Sequence, residues 1–228
     1  CRWTYQPATI TIGRSYKENG FFKVGLTFQA QGLGTYAQGN VLVLNGADYS
    51  YSQLPVTIYV SYGSSVSFAW QSPIPAGSGK EYVWQSTSGL SSAQSGTIKV
   101  TKAGYVLATY SAYYELIMSV SPSGAGSTNP SVGEHWEPAG SQIQINATPN
   151  TGYEFEEWVG SGSGSYSGVD NPATITMNGP INETSVFSVG ITFAVSGMNS
   201  SAVGTVLTLN YSGNTYTYSY SQLPVTVF

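Results

Sequence analysis

Short stretches in which apolar and polar residues alternate recur along the chain, and a period of two is the mark of a strand with one buried face. The pattern predicts strands at Ala8 to Ile12, Val24 to Phe28, Val41 to Leu44, Val56 to Val60, Ser65 to Trp70, Tyr82 to Gln85, Thr97 to Val100 and Tyr105 to Tyr110. Further strands are predicted at Glu115 to Val120, Gln142 to Ala147, Phe155 to Trp158, Ala173 to Met177 and Glu183 to Phe187. Gly, Ser, Asn or Pro punctuates the intervals, and Asn45-Gly46 and Ser212-Gly213-Asn214 stand where hairpin turns belong. Helical periodicity is absent. Strands spaced in this way, with turn signals between them, predict an all-β chain of tandem immunoglobulin-like antiparallel sandwiches.

The same pattern occurs twice. Pro7-Ala8-Thr9-Ile10-Thr11-Ile12 returns as Pro172-Ala173-Thr174-Ile175-Thr176-Met177, an offset of 165 that also carries Glu18 to Glu183, Phe22 to Phe187 and Val24-Gly25-Leu26-Thr27-Phe28 to Val189-Gly190-Ile191-Thr192-Phe193. Farther on, Tyr49-Ser50-Tyr51-Ser52-Gln53-Leu54-Pro55-Val56-Thr57 reappears letter for letter from Tyr218 to Thr226, at an offset of 169. A four-residue insertion at a hairpin tip, around Tyr211-Ser212-Gly213-Asn214, accounts for the difference. Common origin by duplication is the simplest account.

Two module types then alternate. Residues 24–112 read as an A-type immunoglobulin-like sandwich and 113–188 as a shorter B-type unit with Gly-rich turns at Ser121 to Ser127 and Ser161 to Gly168. Residues 1–23 end a preceding B unit, and 189–228 begin a second A unit. On this reading both ends fall inside modules. Either the chain is a window cut from a longer array, or strands from neighbouring molecules complete its ends; the window is favoured, because the end pieces duplicate each other rather than complement each other.

The B unit has a recognisable pattern: Val120-Ser121-Pro122-Ser123-Gly124-Ala125-Gly126-Ser127, Pro130-Ser131-Val132-Gly133, and Gly140-Ser141 leading into Ile143-Gln144-Ile145-Asn146-Ala147-Thr148-Pro149. It continues with Gly152-Tyr153-Glu154-Phe155-Glu156-Glu157-Trp158 and closes with Ala173-Thr174-Ile175-Thr176-Met177 and Val186-Phe187. This resembles the small bacterial-repeat modules related to the internalin B-repeat. The A unit, with Phe68-Ala69-Trp70, Tyr82 to Leu90 and Gln94 to Ile98, is similar to stretches that accompany such modules. The resemblance implies a large secreted protein of a thermoacidophilic archaeon, either a surface protein or the non-catalytic part of a thermopsin-like protease. It specifies fold better than function.

Composition narrows the choice. Charged residues make up 8% of the chain, against roughly 25% in ordinary soluble domains, and the formal net charge is −4. The few basic residues (Arg2, Arg14, Lys17, Lys23, Lys80, Lys99 and Lys102) form no run, so a phosphate-neutralising surface for nucleic acid is not expected. Cys1 alone cannot build an internal disulfide framework or a cysteine zinc site. No apolar run reaches the roughly 20 residues of a membrane span.

Candidate chemistry is thin. His135, in Gly133-Glu134-His135-Trp136-Glu137, fits no ligand spacing and reads as part of a solvated loop before a strand. Glu154 and Glu156 share one face of a strand under strict alternation and Glu157 opposes them, which suits a polar sheet surface better than a hydrolytic pair. Gly160-Ser161-Gly162-Ser163-Gly164 lacks the Lys and the helix of a phosphate loop. The tryptophans Trp3, Trp70, Trp84, Trp136 and Trp158 are expected in cores by default, with an exposed sugar platform as the other reading.

Four N-x-S/T sequons stand at Asn146, Asn182, Asn199 and Asn210, and at least two are expected to carry sugar in a chain so poor in charge. No catalytic residue, cofactor or metal is expected. The chain is expected to be a secreted, cell-surface structural or adhesive protein, part of a surface layer, stalk or filament with strand exchange between neighbours. Its partners would be copies of itself, adjoining modules or surface glycans, not nucleic acid, and the segment would not span a membrane. Two alternatives stand beside this: a non-catalytic region of a secreted hydrolase, and a carbohydrate-binding module.

Overall fold

The computed structural model describes residues 23–228. The strand expected at Ala8 to Ile12, and all but the last residue of the module end expected at 1–23, lie outside the described residues. Within them the regular structure is strand throughout, apart from two single-turn 3-10 helices, Tyr51–Gln53 and Tyr220–Gln222. The chain is all-β, as its alternation predicts. The first strands are β1 (Lys23–Gln31), β2 (Asn40–Leu44), β3 (Ala47–Ser50), β4 (Val56–Ser61), β5 (Ser65–Trp70), β6 (Ile74–Pro75), β7 (Lys80–Gly89) and β8 (Ser95–Lys99). Next come β9 (Gly104–Ser121), β10 (Gly126–Asn129), β11 (Gly133–Pro138), β12 (Gln142–Pro149), β13 (Tyr153–Gly162), β14 (Ala173–Thr176) and β15 (Ile181–Val189). The last are β16 (Ile191–Phe193), β17 (Leu207–Tyr211), β18 (Asn214–Tyr218) and β19 (Val225–Val227).

Two cores form, each between two sheets. In the first, β4, β1, the leading half of β9, β7 and β6 face the sheet β3-β2-β5-β8. Leu26, Phe28, Leu42, Val66, Phe68, Trp70 and Val106 fill the space between. The Phe28 ring lies 5.8 Å from Phe68 and 6.4 Å from Trp70, centroid to centroid. Burying each such side chain contributes roughly 1.5–3 kcal/mol, which is how a chain without an internal disulfide holds together. In the second core, β11, the trailing half of β9, β15 and β13 face the sheet β10-β12-β14, and Leu116, Met118, Ile145, Trp158, Ile175 and Ile181 are buried.

β9 belongs to both. The sequence predicts two strands here, Tyr105 to Tyr110 and Glu115 to Val120; the structure joins them, because Ser111 to Tyr114 contains no Gly, Pro, Asn or Asp to break the run and is rich in strand-favouring tyrosine. Parallel β1 pairs with Gly104 to Thr109, and parallel β15 pairs with Leu116 to Ser121. Antiparallel β7 covers Val106 to Tyr114, and antiparallel β11 covers Tyr113 to Met118. At Tyr113 and Tyr114 both β7 and β11 pair with β9, so they occupy its opposite edges. Even-numbered residues point inward along the whole strand: Val106, Ala108 and Tyr110 into the first core, Leu116 and Met118 into the second. Residues 112 and 113 lie inside this continuous ladder.

Residues 191–228 repeat the pairing of the first strands. Thr27 opposes Thr57 in β1–β4, and Thr192 opposes Thr226 in β16–β19, each pair with its hydroxyls 2.8 Å apart. Ser50 and Gln53 cap one 3-10 turn, and Ser219 and Gln222 cap the other, with the same backbone N–H to Oε1 bond of 2.8 Å. The hairpin tips also match: Asn45 and Gly46 have φ of 49° and 81°, and Ser212 and Gly213 have 50° and 75°, the left-handed pair of a two-residue type I′ turn. The four inserted residues lengthen the second hairpin by two rungs, Asn210 to Thr215 and Tyr211 to Asn214.

Candidate functional site

The charged residues singled out from sequence do not converge. Gly133–Pro138 is a strand, β11, and not the solvated loop expected around His135; the edge of β9 from Tyr113 to Met118 needs a hydrogen-bonded partner and this segment supplies it. On β11, His135 and Glu137 share the face of Leu116 and Tyr114, whereas Glu134 and Trp136 point the other way. The His135 Nε2 atom lies 2.6 Å from the Ser131 carbonyl oxygen. Among the described residues no group of three His, Cys, Asp or Glu side chains is placed to hold a metal.

The three glutamates of β13 also differ from strict alternation. A bulge at Glu156, between the Phe155–Phe187 and Glu157–Val186 pairs, lets both Phe155 and Trp158 face the core. Glu157 consequently faces solvent together with Glu154, rather than opposing it, and the Glu156 carboxylate accepts a 3.1 Å hydrogen bond from the Ser188 hydroxyl. Core packing of two aromatics, 5.8 Å apart, overrides the period of two.

Among the described residues one carboxyl is buried, and it was not among the candidates read from sequence. Glu183 has no exposed surface; its Oε1 accepts a 2.7 Å hydrogen bond from the Tyr166 backbone N–H and its Oε2 has no partner. Burial pushes its pKa up to about 6, opposed in part by the Tyr166 bond. Gly160 permits this placement: a Cβ there would lie 2.3 Å from the Tyr166 carbonyl oxygen and 2.7 Å from Glu183 Oε1. Trp158 and Gly168 bond reciprocally at 2.8 and 3.0 Å, so the carboxyl anchors a loop folded back onto β13. The signal was legible: alternation sets Glu183 on the same face as Ile181 and Phe187.

Trp70 and Trp158 lie in the two cores, Trp84 is half-buried and donates a 3.1 Å bond to the Thr87 hydroxyl, and Trp136 is 40% exposed. Trp3 is outside the described residues. Asn146, Asn182, Asn199 and Asn210 are all exposed; Asn146 and Asn182 project from strands whose alternate residues are buried.

An apolar groove near the end of the described chain lies between β16–β19 and β17–β18. It has a volume of about 240 Å³ and is lined by Val189, Ile191, Phe193, Leu209, Val227 and Phe228, together with Asn210 and Tyr211. No helix of the described residues is long and apolar enough to cross a membrane.

No curated protein and no solved structure matches this chain. Residues 116–191, about a third of the chain, match the family model of the divergent InlB B-repeat domain, which supports a bacterial-repeat module in that stretch.

Proposed function

We propose that this chain is part of an extracellular, surface-associated structural protein, in which β-sandwich units follow one another as stiff, non-catalytic spacers. The observation that carries the reading is β9. Its 18 residues span about 60 Å and take hydrogen bonds for two cores, so the joint between them is a paired strand and not a linker. A joint of that kind resists bending, which suits a stalk, layer or filament. The match of residues 116–191 to a B-repeat family supports a surface setting. Exposure of all four sequon asparagines is compatible with a sugar-coated exterior that compensates for scarce charge.

Two measurements test the reading together. Small-angle scattering of the full chain should fit one elongated, rigid particle, and antibody labelling of intact cells that produce the protein should decorate their surface. A scattering profile that requires freely reorienting units, or a protein confined within the cells, would refute it.

A further inference from the structure

We propose that the first unit carries a pocket for one neutral sugar ring of an external polysaccharide, between the β1–β2 loop and the 3-10 turn after β3, and that the repeated substructure carries a copy of it. The pocket adds a ligand to the spacer reading and stands apart from it, since a rigid array serves as a spacer with or without bound sugar.

Two separate segments build the pocket. Thr35, Ala37 and Gly39 form one wall, on the loop, and Ser50, Tyr51, Ser52 and Leu54 form the other, on the turn. Its volume of about 490 Å³ falls within the roughly 300–1,000 Å³ of small-molecule sites. Ser50 fixes the turn: its backbone N–H donates to Gln53 Oε1 at 2.8 Å, and its hydroxyl donates to the same atom at 3.0 Å and lies 3.0 Å from Ser52 Oγ. The loop is fixed by a 3.0 Å bond from the Ala37 N–H to the Gly34 carbonyl and by Gly39, whose φ is 74°.

Duplication shows which positions tolerate change. The loop wall recurs as Ser200, Ala202 and Gly204, and the turn wall as Ser219, Tyr220, Ser221 and Leu223. Every lining residue but one is identical, and the exception, Thr35 to Ser200, keeps its hydroxyl. The loop positions between them have all changed: Gly34 to Asn199, Tyr36 to Ser201, Gln38 to Val203 and Asn40 to Thr205. Geometry is kept as well, with the Ala202 N–H bonded to the Asn199 carbonyl at 3.0 Å and Gly204 at φ 89°. Thr35, Gly39 and Ser52 are exposed, as are Ser200, Gly204 and Ser221, so core packing does not hold them constant. Capping accounts for the serines and a left-handed backbone for the glycines. Neither accounts for a hydroxyl kept at position 35, on the wall across from the turn, whereas a ligand between the walls does.

The lining selects a neutral polyol. No lining residue is charged, so an ionised ligand would find no counter-charge. The polar side chains are hydroxyls, which both donate and accept, and half-buried Tyr51 and Leu54 add apolar surface beside them. A pyranose offers the matching combination, a rim of hydroxyls around a C–H face, whereas a wholly apolar ligand would leave the hydroxyls unpaired. Residues 24–112 contain no sequon, so sugar in the first pocket comes from another molecule.

The test titrates the full chain with the methyl glycosides of glucose, galactose and mannose and follows its amide resonances. Expected are saturable shifts with at least one of them, confined to residues 35–39 and 50–54 and their copies 200–204 and 219–223, and binding of the corresponding uronic acid weaker by about tenfold or more. Thr35→Val and Ser200→Ala, both at exposed positions, should each weaken their own pocket by about three- to tenfold, the loss of one hydroxyl, while amide exchange at Leu26 and Phe28 keeps the parent rate. Absence of a saturable shift with all three glycosides would overturn the proposal, as would shifts centred elsewhere, a single occupied pocket, or binding indifferent to Thr35→Val. Equal binding of the uronic acid would overturn the neutral ligand, and self-association through these pockets that ends when the chain's own N-linked sugars are removed would overturn the external source. None of these results bears on the scattering and labelling measurements, so the two ideas fail separately.

Discussion

A carboxyl group with no exposed surface keeps its proton to a higher pH than a free glutamate, and Glu183 does so in the second core. Its folded pKa of about 6 exceeds the ordinary 4.5, so the folded state binds the proton more tightly than the unfolded state. The resulting stability is fully present below pH 4.5 and is lost as pH rises through 6. A shift of this size corresponds to on the order of 2 kcal/mol. Glu183→Gln, which keeps an acceptor for the Tyr166 N–H, should therefore raise the stability of this unit by about 1–2 kcal/mol at pH 7.5 and leave it nearly unchanged at pH 4. Urea unfolding at both values, followed through amide exchange at Ile145 and Ile181, checks this. Gly160→Ala acts on the same spot through volume, driving a methyl group against Tyr166 and the carboxyl, and should cost about 1–3 kcal/mol at either pH.

The strand is the element that organises this protein, and β9 shows how far one strand reaches. Because each half of β9 is held by its own sheet partners, the two cores should survive separation of the halves, whereas their mutual orientation should not. Inserting Gly-Gly-Ser-Gly-Gly between Ala112 and Tyr113 should leave amide protection in both cores within about threefold of the parent. It should also broaden the small-angle scattering envelope to that of hinged bodies. Loss of protection throughout one core would show instead that the shared ladder is needed for folding. β13 teaches a complementary lesson about elements. Alternation placed Glu157 opposite Glu154, but the need to bury Phe155 and Trp158 together introduces a bulge at Glu156 and turns Glu157 to solvent. A period of two describes a strand only while the core asks for every second residue.

At the scale of the molecule, scarcity of charge is the governing property. With 11 Asp and Glu in 228 residues, few carboxylates must be protonated as pH falls, and Glu183 shifts the balance toward acid. The thermal midpoint of the first core should change little between about pH 7 and about pH 3, while that of the second core should rise as Glu183 takes up its proton; collapse of the fold near pH 4 would contradict this. Peptides bearing Asn146 and Asn182, isolated from the organism that makes the protein, should weigh more than their bare sequences. The all-β class, most strand positions, both I′ hairpins and the recurrence of one substructure were legible in the sequence, because alternation, Asn-Gly or Ser-Gly tips and repeated letters are local signals. Trp70, inward by alternation on β5, was legible for the same reason, whereas Trp158 reaches the core beside Phe155 only through the bulge in β13. Only the tertiary structure decided that two predicted strands are one, that Gly133 to Pro138 forms a strand, and that the inward-facing Glu183 meets the Tyr166 backbone N–H of a loop folded back onto β13. Those outcomes depend on which distant segments meet across a sheet, and hydrogen-bond partners on a neighbouring strand leave no mark in the local order of residues.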